Sequence, residues 1–424
     1  MKKAIGIIVL LILLVAMLVN CPGEKVVIKA MAYGNEANQE GQNWVRIVDQ
    51  FQKDNPNITI DFELLYDEAY HQKVTANLAG GEKSIPDFAY MGADARWGTP
   101  WKEAGQQFDH RPYMDPNYYD MKLVPPMGPN GEIWEIPLGT SNITTVLYMN
   151  KSLVQSLGFD VPKTYDDLKA MVPKAKAAGL EVVSIDGADG WAWGSCLMSA
   201  FIARVSGDAN YVAKSLKGEA KFNDANWVAA LTVLQTMVKD GVMTSKSVGV
   251  DYGTNLSNYG NKKALFCVQG QWAAGSIDKA VQDDSLMMAW PVLPGEKSNM
   301  AGSVAAAIQV GYGLTKKGGD NPAIRDAALK FLLEYFYSEP EVTQRLRDGG
   351  IVAPILKNYQ VPDDLPPIVK QKVGLAQSAL NTDVIDAFLS GAANDALNAG
   401  MQKIVRGEAT PQQIADEVEG LVKR

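Results

Sequence analysis

The sequence predicts an α/β protein in two lobes, and three observations carry that expectation. At 424 residues the chain is too long for one compact core of ordinary size. Its first part alternates strand and helix patterns in βαβαβ order, which predicts a largely parallel sheet with helices on both faces. A Pro- and Gly-rich passage from Pro125 to Gly139 then leads into a part where helical patterns dominate.

The elements follow in order. Val26 to Met31 is a short apolar strand, and Trp44, Ile47, Val48 and Phe51 recur at helical spacing until Asn55-Pro56 stops the helix. Ile58, Ile60, Phe62 and Leu64 alternate with period two, a helix from about Ala69 ends at Gly80-Gly81, and Asp87 to Met91 is a third strand. Beyond the Pro/Gly passage, Ile143 to Met149 is an apolar, β-branched strand. Thr164 with Asp167 offers a capping box, and Asp224 caps a helix carrying Trp227, Ala230, Leu231, Leu234 and Val238 that ends at Gly241. Asn321-Pro322 and Thr410-Pro411 each open a later helix with proline at its first position. Trp44 and Trp227 lie on helical apolar stripes and are expected in the core.

Composition bounds the function. With 47% hydrophobic and 21% charged residues the chain is an ordinary folded one, neither disordered nor a multi-span membrane protein. Lys2-Lys3 precede an apolar run from Ala4 to Val19, the layout of a signal peptide, and the run is short of the about 20 residues a membrane span needs. Cys21 follows this run as in the lipobox of bacterial lipoproteins, with Asn20 in place of the usual small residue. The expected organisation is therefore a signal peptide over 1–20 and a lipidated tether over 21–25. Cys196 and Cys267 both lie in apolar company, and their spacing leaves open whether they pair or remain buried thiols. Formal charge is −8, or −10 once Lys2 and Lys3 leave with the signal, so nucleic acid is a poor partner.

Catalytic signatures are missing. His71 and His110 are far apart and no CxxC occurs, so no metal site is expected. No phosphate loop is present, because Gly311-Tyr312-Gly313 and Gly318-Gly319 lack the lysine-serine ending and its strand-to-helix context. Neither GxSxG nor a cysteine with a neighbouring base supports acyl transfer. Asp186-Gly187-Ala188-Asp189-Gly190 lacks the alternating oxygens of a calcium loop and is expected to be a turn. No cofactor is expected and the chain is not expected to be an enzyme, with a secreted glycosidase kept as a distant alternative.

Six strings occur in a telling order: NWVRIVDQFQKDNPNITIDF, YHQKVTANLAGGEKSIPDF, NGEIWEIPLGTSNITTVLYMNKSL with GFDVPKTYDDL, FNDANWVAALTVLQTMVKDGVM, NKKALFCVQGQWAAGSI, and WPVLPGEKSNMAGSVAAAI. In this order and spacing the chain resembles the family 1 extracellular solute-binding proteins of ABC importers, the group that includes maltose-binding protein. The resemblance implies the type II periplasmic-binding-protein fold: two α/β lobes, an interlobe cleft, and a hinge crossed three times, near Gly139 to Asn142, Ala289 to Val292, and Ser338 to Thr343. Lobe 1 would comprise 26–142 and 292–338, and lobe 2 would comprise 143–289 and 343–424.

The resemblance also implies a function and a site. The function is capture of a mono- or oligosaccharide and its delivery to membrane permease subunits served by a separate ATPase, by a monomer anchored outside the cytoplasm through Cys21. The same fold binding another solute, such as a glycerol phosphodiester or polyamine, is the alternative. Asn35 and Glu36 fall where relatives place polar ligands in the loop after the first strand, and Asp94 matches a sugar-binding aspartate after the third. Arg96 and Trp97 accompany it. Thr140, Ser141 and Asn142 lie at the first crossing, with Asn142 the candidate contact, and Gly302 falls in the last of the six strings. Trp191 and Trp193 stand where relatives carry an acidic and an aromatic residue, the acid here being Asp189, and at least one of the two is expected to face ligand. Trp272, in QGQWAAGSI, matches the family's stacking tryptophan, and its small neighbours are expected to leave one ring face open. Relatives of the maltose type carry a further aromatic where this chain has Gly391-Ala392-Ala393-Asn394, and Phe388 is the nearest substitute, so maltose itself is not implied.

Overall fold

Residues 25–36 and 38–422 are described by the computed structural model. The expected signal peptide, the expected lipobox and the expected lipidation of Cys21 lie outside the described residues. The chain forms two compact units, one running to Ala89 and resuming over Leu314–Phe336, the other comprising Tyr90–Gly313 and Tyr337–Arg424.

In the first unit, β1 (Val26–Tyr33) and β2 (Ile58–Leu65) pair in parallel from Val26↔Ile58 to Tyr33↔Leu65, and β1 pairs in parallel on its other side with β3 (Phe88–Met91) at Ala30↔Phe88. The alternation legible in the sequence produces this ladder. The intervening helix Gln39–Asp54 starts on the Asn38 side chain, which accepts from Gly41 N at 2.8 Å, and buries Trp44, Ile47, Val48 and Phe51. Trp44 has no exposed surface and meets Phe62, Phe331 and Phe336 edge-on at 6.0, 5.4 and 5.2 Å between centroids. Phe331 and Phe336 bracket a π-helical turn at the end of helix Pro322–Lys330, which Asn321 caps. Aromatic edge-to-face packing of this kind makes the unit's core.

In the second unit, β4 (Ile136–Pro137) pairs antiparallel with β11 (Gly311–Leu314), and two further sheets form. The smaller has the order β12 (Asn381–Thr382), β10 (Val304–Ala307), β5 (Asn142–Ile143). The larger has the order β7 (Glu181–Ser184), β8 (Ala264–Gln269), β6 (Val146–Asn150), β9 (Ser285–Met288). Only β7 and β8 run parallel in the larger sheet; β6 is antiparallel to both its neighbours. The single strand expected over Ile143 to Met149 is corrected here: it divides into β5 and β6, which serve different sheets. The division falls at Thr144 and Thr145, both buried, whose hydroxyls take over from the ladder. Thr144 donates to Ser195 O at 2.9 Å and Thr145 accepts from Ala305 N at 2.8 Å.

The helix starts behave as the sequence predicts. Thr164 with Asp167 and Thr410 with Gln413 form reciprocal capping boxes, and Asp224 accepts from Asn226 N and Trp227 N. The helix Ala225–Asp240 ends at Gly241 with φ 78°, a left-handed stop. Its Trp227 is buried and donates to Ser215 Oγ at 3.0 Å. Cys196 and Cys267 are both buried free thiols. Among the described residues no helix is long and apolar enough to cross a membrane.

Candidate functional site

The candidate site is a cluster in the second unit, built by four chain segments that the sequence holds far apart. The first follows β3. Asp94 ends an extended stretch and caps the helix Ala95–Glu103, accepting from Trp97 N at 2.7 Å. Two glycines allow so tight a turn: a Cβ on Gly92 would come within 2.8 Å of Trp97 Cβ, and one on Gly98 within 2.3 Å of Gly92 O. Beneath it Glu135, fully buried, accepts from Ala93 N at 3.2 Å and Gly311 N at 2.6 Å, tying the loop to β11. Trp97 packs edge-on against Tyr90 at 5.1 Å.

The second segment leaves β8. Trp272 is partly buried, and its ring lies directly on Gly270, where a Cβ would fall 2.1 Å from a ring carbon. Tyr148 donates to Gly270 O at 2.9 Å, and Gln271 is fixed to β5 by its N–H to Ile143 O at 2.7 Å and its side-chain amide to Asn142 Oδ1 at 3.3 Å. The short helix that follows approaches another turn so closely that a Cβ on Gly275 would meet Asp348 O at 2.3 Å. The small residues therefore have specific tasks. Gly270 makes a seat for one face of the indole and Gly275 permits a backbone crossing, which sharpens the expectation that they simply clear the approach to the ring.

The third segment carries Trp191. Its ring centroid lies 5.9 Å from that of Trp272 with the planes at 51°, and both rings lean on the hydrophobic core while keeping part of their surface exposed. The Arg96 guanidinium carbon sits 5.9 Å from the Trp191 centroid and 5.8 Å from that of Trp97, within cation–π range of both. Arg96 also forms an ion pair at 3.6 Å with Asp386, on the short helix Ile385–Phe388, the fourth segment. Three tryptophans, one cation and two carboxylates thus meet in one place.

The electrostatics follow from burial. Removal from water pushes the Asp94 carboxyl up to about 7, the Trp97 N–H pulls it back, and the charge of Asp386 adds to the rise while Arg96 opposes it. Burial likewise raises Asp386, against the pull of Arg96 and of a hydrogen bond from Ser195. Glu135 is raised well above the usual carboxylate range, again chiefly by burial. Partly exposed indole faces rimmed by a cation and hydrogen-bonding acids can receive a ligand with an apolar face and a polar rim.

The structure brings together Asp94, Arg96, Trp97, Trp191 and Trp272, and Asn142 is linked to them through the side-chain amide of Gln271, the neighbour of Trp272. Others stand apart. Trp193 is a correction: it has no exposed surface and donates from Nε1 to Gly187 O at 2.9 Å, packed so tightly that a Cβ on Gly187 would come within 2.4 Å of its ring. A side chain two residues from Trp191 on a helical start points about 200° away around the axis, which places one indole outside the core and the other inside. Asp189, in the turn, accepts from Tyr252 N at 2.8 Å, so it supports the start of the distant helix Tyr252–Gly260. Gly302 occupies an exposed turn with φ 73°, a backbone role. Thr140 donates its N–H to Ala353 O at 2.9 Å, and the Ser141 hydroxyl is buried without a hydrogen-bond partner among the described residues. In the first unit Asn35 and Glu36 are exposed, and Asn35 exchanges hydrogen bonds with Asn38 at 2.9 and 3.2 Å, which orders the start of the helix Gln39–Asp54. Asp386 and Glu135 escaped the sequence reading. Phe388, the suggested aromatic substitute, is exposed two residues from Asp386, the side chain of that helix that pairs with Arg96.

Comparison with known proteins adds to this geometry. The profile of the bacterial extracellular solute-binding proteins matches residues 46–377. A multiple sugar-binding protein of Streptococcus mutans serotype c (strain ATCC 700610 / UA159) is 24% identical over 306 residues, which is 71% of this chain and 68% of that protein. Among solved structures, a chitin oligosaccharide binding protein superposes with a TM-score of 0.79 at 19% identity, covering 92% of this chain and 97% of the other. A maltose-bound T. maritima protein gives 0.72 at 17% identity, covering 94% and 99%. At these identities the solved structures establish the mixed α/β fold.

Proposed function

The chain belongs to the bacterial extracellular solute-binding proteins, and from that premise we propose that it captures a carbohydrate on the Trp191–Trp272 platform and hands it to the membrane subunits of an ABC importer. The observation that carries the reading is the meeting of Trp97, Trp191 and Trp272 with Arg96, Asp94 and Asp386. A pyranose offers a face of C–H groups and a rim of hydroxyls, and this cluster offers flat apolar faces with few, fixed polar groups. Support also comes from the relatives, whose names speak of multiple sugars, chitin oligosaccharide and maltose.

A phosphodiester ligand fits less well, since Arg96 is already matched to Asp386. The carboxylates are also committed, Asp94 to a helix start and Asp386 to Arg96, which gives binding a better basis than glycoside cleavage. The partner importer supplies its own ATPase in this reading, because the sequence holds no phosphate loop. Anchoring through Cys21 completes the proposal: palmitate labelling of cells should tag the wild-type chain and leave Cys21→Ala unlabelled.

The function is tested by a thermal-shift screen of mono- and oligosaccharides. A ligand that binds only the native state raises the melting temperature by mass action, about 2.7 kcal/mol at a hundredfold excess over Kd. A shift with one sugar class, accompanied by a change in tryptophan emission, is expected. If no sugar moves either signal, the proposal fails.

A further inference from the structure

Behind the platform lies a fully buried polar pair that the carbohydrate reading does not use. Asp186 and Gln269 are both completely buried, and the Gln269 side-chain amide donates to Asp186 Oδ1 at 2.5 Å. They sit at the same end of one parallel strand pair, two residues beyond the register partners Ser184 and Cys267. Each opens a loop that carries a tryptophan: Asp186 leads through Gly187 to Trp191, and Gln269 leads through Gly270, the seat of the indole, to Trp272. This hydrogen bond therefore ties the two loops at their roots, directly before they diverge to bring the rings to 5.9 Å.

The chemistry of the pair is unusual. Asp186 Oδ1 takes both amide donors, Gln269 and Asn255 at 3.3 Å, while Asp186 Oδ2 and Gln269 Oε1 are buried with no hydrogen-bond partner among the described residues. Two buried acceptors without a donor are costly. Among the described residues the charged and titratable groups that act most strongly on the pair are Asp189 on the same loop, Cys196 on the helical turn beside it and Cys267 on β8, and none of these is a cation that would balance a charge on Asp186. One proton on the carboxyl would give it a hydrogen to donate and would remove the charge.

We propose that Asp186 and Gln269 are a positioning pair that holds Trp191 and Trp272 in ring contact, and that Asp186 does so as the uncharged acid. Its relevance to ligand rests on the carbohydrate reading above; the ring contact itself does not. Burial without a counter-charge agrees with this, since it pushes the Asp186 carboxyl up to about 7. Ionisation would set a buried negative charge beside Gln269 Oε1 and spread the loop roots. Sugar binding would then weaken as pH rises, although neither residue touches the ligand.

The test needs no sugar. Two indoles in contact give an exciton couplet in circular dichroism, and subtracting the spectrum of Trp272→Phe from that of wild type isolates it. The wild-type couplet should fade between about pH 6 and about pH 9, with its midpoint shifted up from the ordinary carboxylate range, in line with a carboxyl near 7. Asp186→Asn keeps the shape and supplies a permanent donor, so its couplet should stay constant over that range. Asp94 is also raised to about 7, and in Asp94→Asn the couplet should still fade, which assigns the titration to the buried pair. A couplet that stays flat in wild type, that fades equally in Asp186→Asn, or that stops titrating in Asp94→Asn overturns the proposal. Should Asp186→Asn fail to fold, the wild-type and Asp94→Asn titrations decide it. A protein that shows the couplet's titration but binds no sugar would sink the carbohydrate reading alone.

Discussion

The indole of Trp272 rests on the Cα of Gly270, so closely that a methyl group there would sit 2.1 Å from a ring carbon. The glycine fixes which face of the ring is covered and which is left to a neighbour or a ligand. Gly270→Ala must therefore move the ring. Overpacking of this kind costs about 1–3 kcal/mol, to be read from denaturant unfolding, and sugar affinity should fall together with stability.

Arg96 joins the parts of the site that its indoles leave separate. Arg96→Met keeps an apolar stem over Trp191 and removes the charge that faces Asp386 at 3.6 Å. Because both side chains are largely buried and the change leaves the Asp386 carboxyl without its counter-charge, the stability loss should be about 3 kcal/mol. Sugar affinity should fall about tenfold or more, measured by calorimetric titration. A variant with full affinity and reduced stability would make Arg96 a structural strut.

Asp94 has two separable roles. As a cap its loss to alanine should cost about 1 kcal/mol, whereas asparagine caps nearly as well. As an acid it is raised from 3.8 to about 7, so the folded state holds its proton more tightly than the unfolded one. Its favourable contribution is complete below about pH 3.8 and is lost as pH rises through about 7. Asp94→Asn should flatten that part of the stability profile without a large change in stability at acid pH.

Lys372 gives the opposite sign. Its amine is fully buried, donates to Gly349 O at 2.5 Å, and burial lowers it from 10.5 to about 7. Between those values the unfolded chain binds more protons, so stability rises with pH across the window and falls as pH drops through about 7. Lys372→Met, similar in volume, should abolish the alkaline rise in urea midpoints.

Much of this architecture is legible in the residues. The period-two alternation of Ile58 to Leu64, the helical spacing from Trp44 to Phe51, and the caps at Thr164, Asp224, Asn321 and Thr410 are local signals, and the structure honours each. The change of sheets at Thr144-Thr145 is not, because an apolar, β-branched run looks the same whether one sheet or two receive it. Site residues divide by the same rule. Trp272 and Asp94 stand in recognisable strings, while Asp386 and Glu135 reach the cluster only through tertiary packing. Trp193 could be told from Trp191 only by the direction of each side chain at the start of the helix, which two aromatics in alternate positions do not announce.

In the proposed function a carbohydrate stacks on the Trp191–Trp272 platform. Isothermal titration of wild type and Trp272→Ala with a panel spanning malto-, chito- and xylo-oligosaccharides, raffinose and galactose tests it most directly. At least one sugar should bind wild type, and truncating the ring should weaken it by about 1–3 kcal/mol, roughly five- to 150-fold, in a variant that still unfolds cooperatively. Equal affinity in the two proteins, or no heat with any sugar, would contradict the account.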